Sequence, residues 1–172
     1  MTGLGKVALI AGALALAGCA DQRFGAGAGM GGDDAAGAAA GADAGSASDP
    51  TSEAFFQETV GDRVFFAVDE STLSAEAETA LDQQAEWLMA NSDFDATIEG
   101  HADERGTREY NIALGDRRAN AVRDYLVSRG VAPNRLTTLS YGKERPVALC
   151  SDESCYSQNR RAVTVLALGA GV

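Results

Sequence analysis

Hydrophobic and polar positions divide the chain into a patterned C-terminal part and a long stretch before it with no apolar period. Residues 63–68, Arg-Val-Phe-Phe-Ala-Val, form a short apolar run that predicts a buried strand. Ser74 can cap a helix whose first turn carries Glu76 and Glu78, which suits the positive end of the helix dipole. Ala77, Leu81, Ala85 and Leu88 then share one face, so the spacing predicts a helix reaching about Ala90. Asn91, Ser92 and Asp93 break it, and a second strand is expected over 96–100. Leu114, Val122 and Leu126 are spaced by eight and four, on one face of a helix expected over 109–128. Arg129-Gly130 and Pro133 stop that helix. A third strand is expected over 136–140, a polar loop over 143–157 and a fourth strand over 162–168. The order β-α-β-α-β-β predicts an α/β (α+β) two-layer sandwich, with helices packed on a mixed sheet. This folded part is expected over 54–172, a size that suits one independent core.

The N-terminus reads as an export signal. Lys6 supplies the positive end, and residues 7–17 are apolar. That run falls short of the roughly 20 residues that span a bilayer, but it has the length of a signal-peptide core. Leu16-Ala17-Gly18-Cys19 resembles the lipobox of bacterial lipoproteins; an ordinary export signal that happens to contain a cysteine is the alternative. The lipobox resemblance implies a signal peptide over 1–18, lipid on Cys19, and an anchor in outer-membrane lipid, since Ala20 rather than Asp21 follows the cysteine. Residues 19–53 are then the lipidated cysteine and a flexible tether of Gly, Ala, Ser and Asp, without the apolar period a core needs. In an oxidising compartment Cys150 and Cys155 can form a disulfide across the four residues between them. The closed loop stabilises by about 2 kcal/mol in the chain-entropy model. A zinc site is the competing idea, though the pair offers only two of four ligands.

The formal net charge of −11 argues against nucleic acid or an anionic membrane surface as the main partner, because both call for clustered Lys and Arg. The local pairs Arg117-Arg118 and Arg160-Arg161 need their own explanation. Arg118 falls midway between Leu114 and Val122 on the apolar stripe, whereas Arg117 is turned about 100° away, towards solvent. An Arg on a core-facing stripe must find an anion, and Asp103, just before the helix, is the natural partner. The pair is either a structural ion pair or one side of a cleft that shares its hydrogen bonds with a zwitterionic ligand. Glu99, His101 and Asp103 would share a strand face, which makes an acid–base or metal cluster conceivable. His101 is the single histidine, however, and no HExxH, nucleophile elbow or phosphate loop is present. Catalysis, a metal and a cofactor are therefore not expected, and His101 reads as a packing residue.

Several motifs carry a resemblance. They are Gly100-His101-Ala102-Asp103-Glu104-Arg105-Gly106-Thr107, Tyr110-Asn111-Ile112, Leu114-Gly115, Arg117-Arg118-Ala119-Asn120-Ala121-Val122, Ser140-Tyr141-Gly142-Lys143-Glu144 and Asn159-Arg160-Arg161-Ala162-Val163. In this order they resemble the peptidoglycan-associated lipoproteins of the Tol–Pal system, within the wider OmpA C-terminal-like family, over 64–166. The resemblance implies non-covalent binding of peptidoglycan through the meso-diaminopimelate of its stem peptide. Asp103 is expected to accept from the ligand ammonium and Arg118 to grip a carboxylate. Leu114 is expected to pack beside the stem, with Asn111 and Asp69 lining the pocket. It also implies TolB and other Tol–Pal components as partners, and a role in holding the outer membrane to the wall during division. A protein-docking lipoprotein that does not bind the wall is the alternative. The chain departs from the family at Val68, where Phe is common, and at Cys150 and Cys155, which many members lack.

Overall fold

The computed structural model describes residues 45–169. The signal peptide expected over 1–18, Cys19 and the tether up to residue 44 lie outside the described residues. Four strands form one mixed sheet in the order β1-β4-β2-β3, with β1 at Arg63–Phe65, β2 at Phe94–His101, β3 at Leu136–Gly142 and β4 at Arg161–Leu168. β2 and β3 run parallel and are joined by a helical crossover, while β4 is antiparallel to both β1 and β2.

Two helices cover one face of this sheet. α2 (Ala75–Ala90) begins where the Ser74 side chain accepts from the Ala77 amide, and it buries Ala77, Leu81, Ala85, Trp87 and Leu88. α3 (Arg108–Ser128) is capped by Thr107, which accepts from the Tyr110 amide, and it buries Leu114, Arg118, Val122 and Leu126. Strand alternation sends Ala96, Ile98, Ala162 and Leu166 into the core with these helices. A fully buried Leu, Ile or Val contributes about 1.5–3 kcal/mol by leaving water. The buried Gln84 is paired at both amide atoms: it donates to the Gly61 carbonyl at 2.7 Å and accepts from the Thr164 hydroxyl at 2.8 Å.

The structure corrects the expected element order in three places. The segment expected to be a polar loop over 143–157 contains a helix, α4 (Glu153–Asn159), capped by Asp152. A short helix, α1 (Glu53–Phe55), continues into a π-helical turn at Phe56–Gly61 before β1. The boundary expected between tether and fold, at residue 54, therefore lies inside α1. Before it, Ser52 is buried and the Trp87 indole donates to the Pro50 carbonyl at 2.8 Å. The first strand also ends at Phe65 rather than continuing to Val68, because the chain turns there: the Glu70 amide donates back to the Ala67 carbonyl and Asp69 takes a left-handed backbone. Cys150 and Cys155 are joined as a disulfide, with Cα atoms 5.6 Å apart, so neither sulfur is a thiolate that could bind zinc.

Candidate binding site

Three pieces of chain converge at the C-terminal ends of β1 and β2. The first is the turn after β1, where Asp69 adopts a left-handed backbone (φ 59°), which Asp tolerates better than most residues. The second is the segment leaving β2, which presents Asp103 and Arg105. The third is the first half of α3, which presents Tyr110, Asn111, Leu114 and Arg118. Together with Val68, Gly106 and Arg160 they line a cavity of about 310 Å³. All five residues expected at a site, Asp69, Asp103, Asn111, Leu114 and Arg118, are on this lining. Pockets of this size suit a small ligand or the end of a larger one.

Arg118 is completely buried, and its partners differ from the expected one. Its Nε donates to the Glu70 carbonyl at 2.8 Å, Nη1 to the His101 carbonyl at 2.8 Å and Nη2 to the Ala67 carbonyl at 3.1 Å. It makes no ion pair with Asp103. The guanidinium ties the turn that carries Asp69 to the strand end that carries Asp103. It also holds the carbonyls of Ala67 and Glu70 on either side of the turn that follows β1. Burial, followed by the neighbouring Arg160 charge, lowers the Arg118 pKa to about 10, with Asp103 and Asp69 opposing the shift; the group stays charged at neutral pH. Each terminal nitrogen keeps one hydrogen that these bonds do not use, and Arg118 is among the residues lining the cavity.

Asp103 is held by two other arginines. Its Oδ2 accepts from Arg105 Nε at 3.2 Å, from Arg105 Nη2 at 2.5 Å and from Arg160 Nη1 at 3.3 Å, while Oδ1 accepts from the Arg105 amide at 3.1 Å. Burial alone would raise this carboxyl, but the hydrogen bonds from Arg105 and Arg160 outweigh it and hold Asp103 below the usual carboxylate range. Asn111 donates to the Arg105 carbonyl at 2.8 Å, which fixes the loop between β2 and α3. The Tyr110 hydroxyl donates to Asp69. Leu114 and Val68 are the apolar part of the wall; Leu114 is buried and Val68 half exposed.

Arg105, Tyr110 and Arg160 were absent from the expected set. Arg105 and Tyr110 stand beside expected residues in sequence, and only their direction in space brings them in. Arg160 is 57 residues from Asp103 along the chain; its one sequence signal is the otherwise unexplained pair Arg160-Arg161. The arrangement gives an apolar cleft with two carboxylates and three guanidiniums at its edge, suited to holding a ligand of both charges. His101 is not part of it. Its ring stacks on Tyr141 at 5.6 Å between centroids, and neither ring nitrogen has a protein hydrogen-bond partner.

Comparison with known proteins places these features in context. The OmpA family matches residues 65–160. A peptidoglycan-associated lipoprotein of Rhizobium meliloti (strain 1021) is 57% identical over 162 residues, 92% of this chain and 84% of that protein. Another, from Mesorhizobium japonicum, is 55% identical over 96% of this chain and 92% of its own length. The crystal structure of the peptidoglycan-associated lipoprotein from Burkholderia pseudomallei has a TM-score of 0.64 at 38% identity, covering 69% of this chain and 100% of that one. The C-terminal domain of Helicobacter pylori MotB shares the fold alone, with a TM-score of 0.59 at 21% identity over 63% of this chain and 86% of that domain.

Proposed function

Since the chain belongs to the OmpA family and, within it, to the peptidoglycan-associated lipoproteins, we propose that its cleft binds peptidoglycan non-covalently, through the meso-diaminopimelate of a stem peptide. The observation that supports this most directly is the two-signed lining: Asp69 and Asp103 with Arg105, Arg118 and Arg160 around Leu114 and Val68. The side-chain end of diaminopimelate carries an ammonium and a carboxylate on one carbon, below an aliphatic chain. Asp103 Oδ1, which accepts only one backbone amide, has room for the ammonium. The carboxylate meets the remaining hydrogens of Arg118, whose main task is to hold the two loops in register. Leu114 packs against the aliphatic part.

Wall binding then acts mechanically rather than catalytically, and it uses no cofactor. Lipid on Cys19 holds one end of the chain in the outer membrane, and the cleft holds the polymer. A modest single-site affinity suffices when many copies face one polymer. TolB and other Tol–Pal components are the protein partners in this reading. No helix among the described residues is long and apolar enough to cross a membrane.

Calorimetric titration of the full chain in detergent tests the proposal, using soluble muramyl tripeptides that end in meso-diaminopimelate or in lysine. The diaminopimelate form is expected to bind and the lysine form to bind far more weakly. Asp103→Asn is expected to lower affinity for the diaminopimelate form about ten- to a hundredfold, the worth of one hydrogen bond to a charged group. A folded wild-type chain that binds neither peptide leaves the arginine–aspartate network as structural and makes protein docking the better reading.

A further inference from the structure

Arg160 reaches the cleft from outside the five expected positions, and its own partner is a residue that does not line the cavity. Its Nη2 donates to Glu153 Oε1, while its Nε donates to the Phe66 carbonyl at 3.1 Å. Only Nη1 is left for Asp103, at 3.3 Å. Glu153 Oε2 also lies 3.8 Å from Arg105 Nη2, the second arginine on Asp103. One carboxylate on α4 thus draws on both cations that hold the aspartate of the cleft.

We infer that Glu153 is a positioning residue that sets the cleft's preference for a ligand ammonium. An arginine whose fork is free tends to engage a carboxylate through two parallel bonds. With Glu153 occupying Nη2, Arg160 meets Asp103 through one nitrogen, and Asp103 Oδ1 keeps only the Arg105 amide. Without the Glu153 charge, Arg160 is free to close its fork on both oxygens of Asp103 and occupy the position where a ligand ammonium binds. The charge count points the same way. Three guanidiniums, from Arg105, Arg118 and Arg160, are balanced by Asp69, Asp103 and Glu153. Removing Glu153 leaves a net positive cleft, which favours a ligand that lacks the ammonium.

Glu153 is held where this role needs it. It is the first residue of α4, next to Asp152, whose side chain caps the helix by accepting from the Ser154 and Cys155 amides. The Cys150–Cys155 disulfide closes the chain around it. At the other end of α4, Asn159 accepts from the Val147 and Ala148 amides and donates to the Ala148 carbonyl. The helix is pinned at both ends, so an exposed carboxylate stands in a fixed place beside a buried guanidinium.

The inference rests on the proposed binding of diaminopimelate, and the test separates the two. The full chain in detergent is titrated with two muramyl tripeptides, one whose diaminopimelate side-chain amine is free and one in which it is acetylated. Wild type is expected to prefer the free amine. In Glu153→Gln that preference is expected to fall about threefold, through weaker binding of the free-amine peptide, in line with an ion pair that is half open to solvent. Glu153→Asp is expected to retain most of it. Melting temperatures taken on the same samples separate selectivity from unfolding. A preference unchanged in Glu153→Gln, with wild type binding normally, overturns the role of Glu153 alone. Absence of binding by wild type overturns the peptidoglycan reading and this inference with it.

Discussion

His101 shows how a single residue can carry a pH dependence without taking part in binding. It is 2 % exposed, and burial, with the Arg161 and Arg145 charges adding to it, lowers its pKa to about 4. The imidazole is therefore neutral at neutral pH, while the unfolded chain takes up a proton near 6.5. Between those values the unfolded state binds more protons than the native state, so stability rises with pH and is lost as pH falls from 6.5 towards 4. The difference amounts to at most about 3 kcal/mol. Asp103 acts in a separate window: its lowered pKa contributes stability that is present above the ordinary carboxyl range and disappears only in stronger acid. Urea unfolding at pH 7 and pH 4.5 checks this. His101→Phe, which keeps a ring against Tyr141, is expected to remove most of the loss seen in wild type over that interval. An equal loss in the variant assigns the dependence to other groups. That His101 is a packing residue was legible from the sequence, because it is the single histidine and no second ligand stands in metal spacing with it. Its stacking on Tyr141 was not, since β3 brings Tyr141 alongside only in the folded sheet.

At the scale of elements, the site depends on how closely α3 lies on β2. Gly100 and Gly115 touch through their backbones; a Cβ on Gly115 would collide with the Ser140 hydroxyl and come within 2.8 Å of the Gly100 carbonyl. Gly115→Ala gains about 1 kcal/mol of helix propensity but sets a methyl against sheet backbone, and such overpacking costs about 1–3 kcal/mol. The collision is expected to win, because a strand carbonyl cannot rotate away as a long side chain can. A net loss of about 1–2 kcal/mol in denaturant unfolding is therefore expected, with weaker peptide binding, as α3 also carries Asn111, Leu114 and Arg118. Full stability together with full affinity would show that α3 can slide without disturbing the cleft. The two long helices were legible because each carries an apolar stripe, and α2 also has the capping hydroxyl of Ser74; the Thr107 cap of α3 was seen only in the structure. α4 was not, because it buries only Cys155 and Asn159 and has no stripe to read. Its stability comes from the Asp152 cap, the disulfide and the ion pair between Glu153 and Arg160.

For the whole molecule, the composition shift placed the start of the fold at residue 54, but the folded part reaches further back. Pro50 accepts from the Trp87 indole, and Ser52 is buried while it caps α1. A chain beginning at Ala54 is expected to unfold at a temperature about 4–8 °C below one beginning at Gly45, as the loss of about 1 kcal/mol would produce. Equal melting temperatures in calorimetry would show these contacts to be dispensable. The sequence by itself determined what depends on local spacing and chemistry: the two amphipathic helices, the mixed four-stranded sheet, the family motifs and the residues to look for at a site. It also showed that Arg118 faces inward, because three apolar neighbours on one helical face leave it no other direction. Only the tertiary structure decided what Arg118 meets there, which is three backbone carbonyls rather than Asp103. The partners of Asp103 were decided in the same way, since Arg160 arrives from the start of β4 and brings Glu153 of α4 with it. The physical reason is the same in both cases. A buried charge takes whichever opposite group the packing brings within hydrogen-bond distance, and chain separation carries no information about that distance.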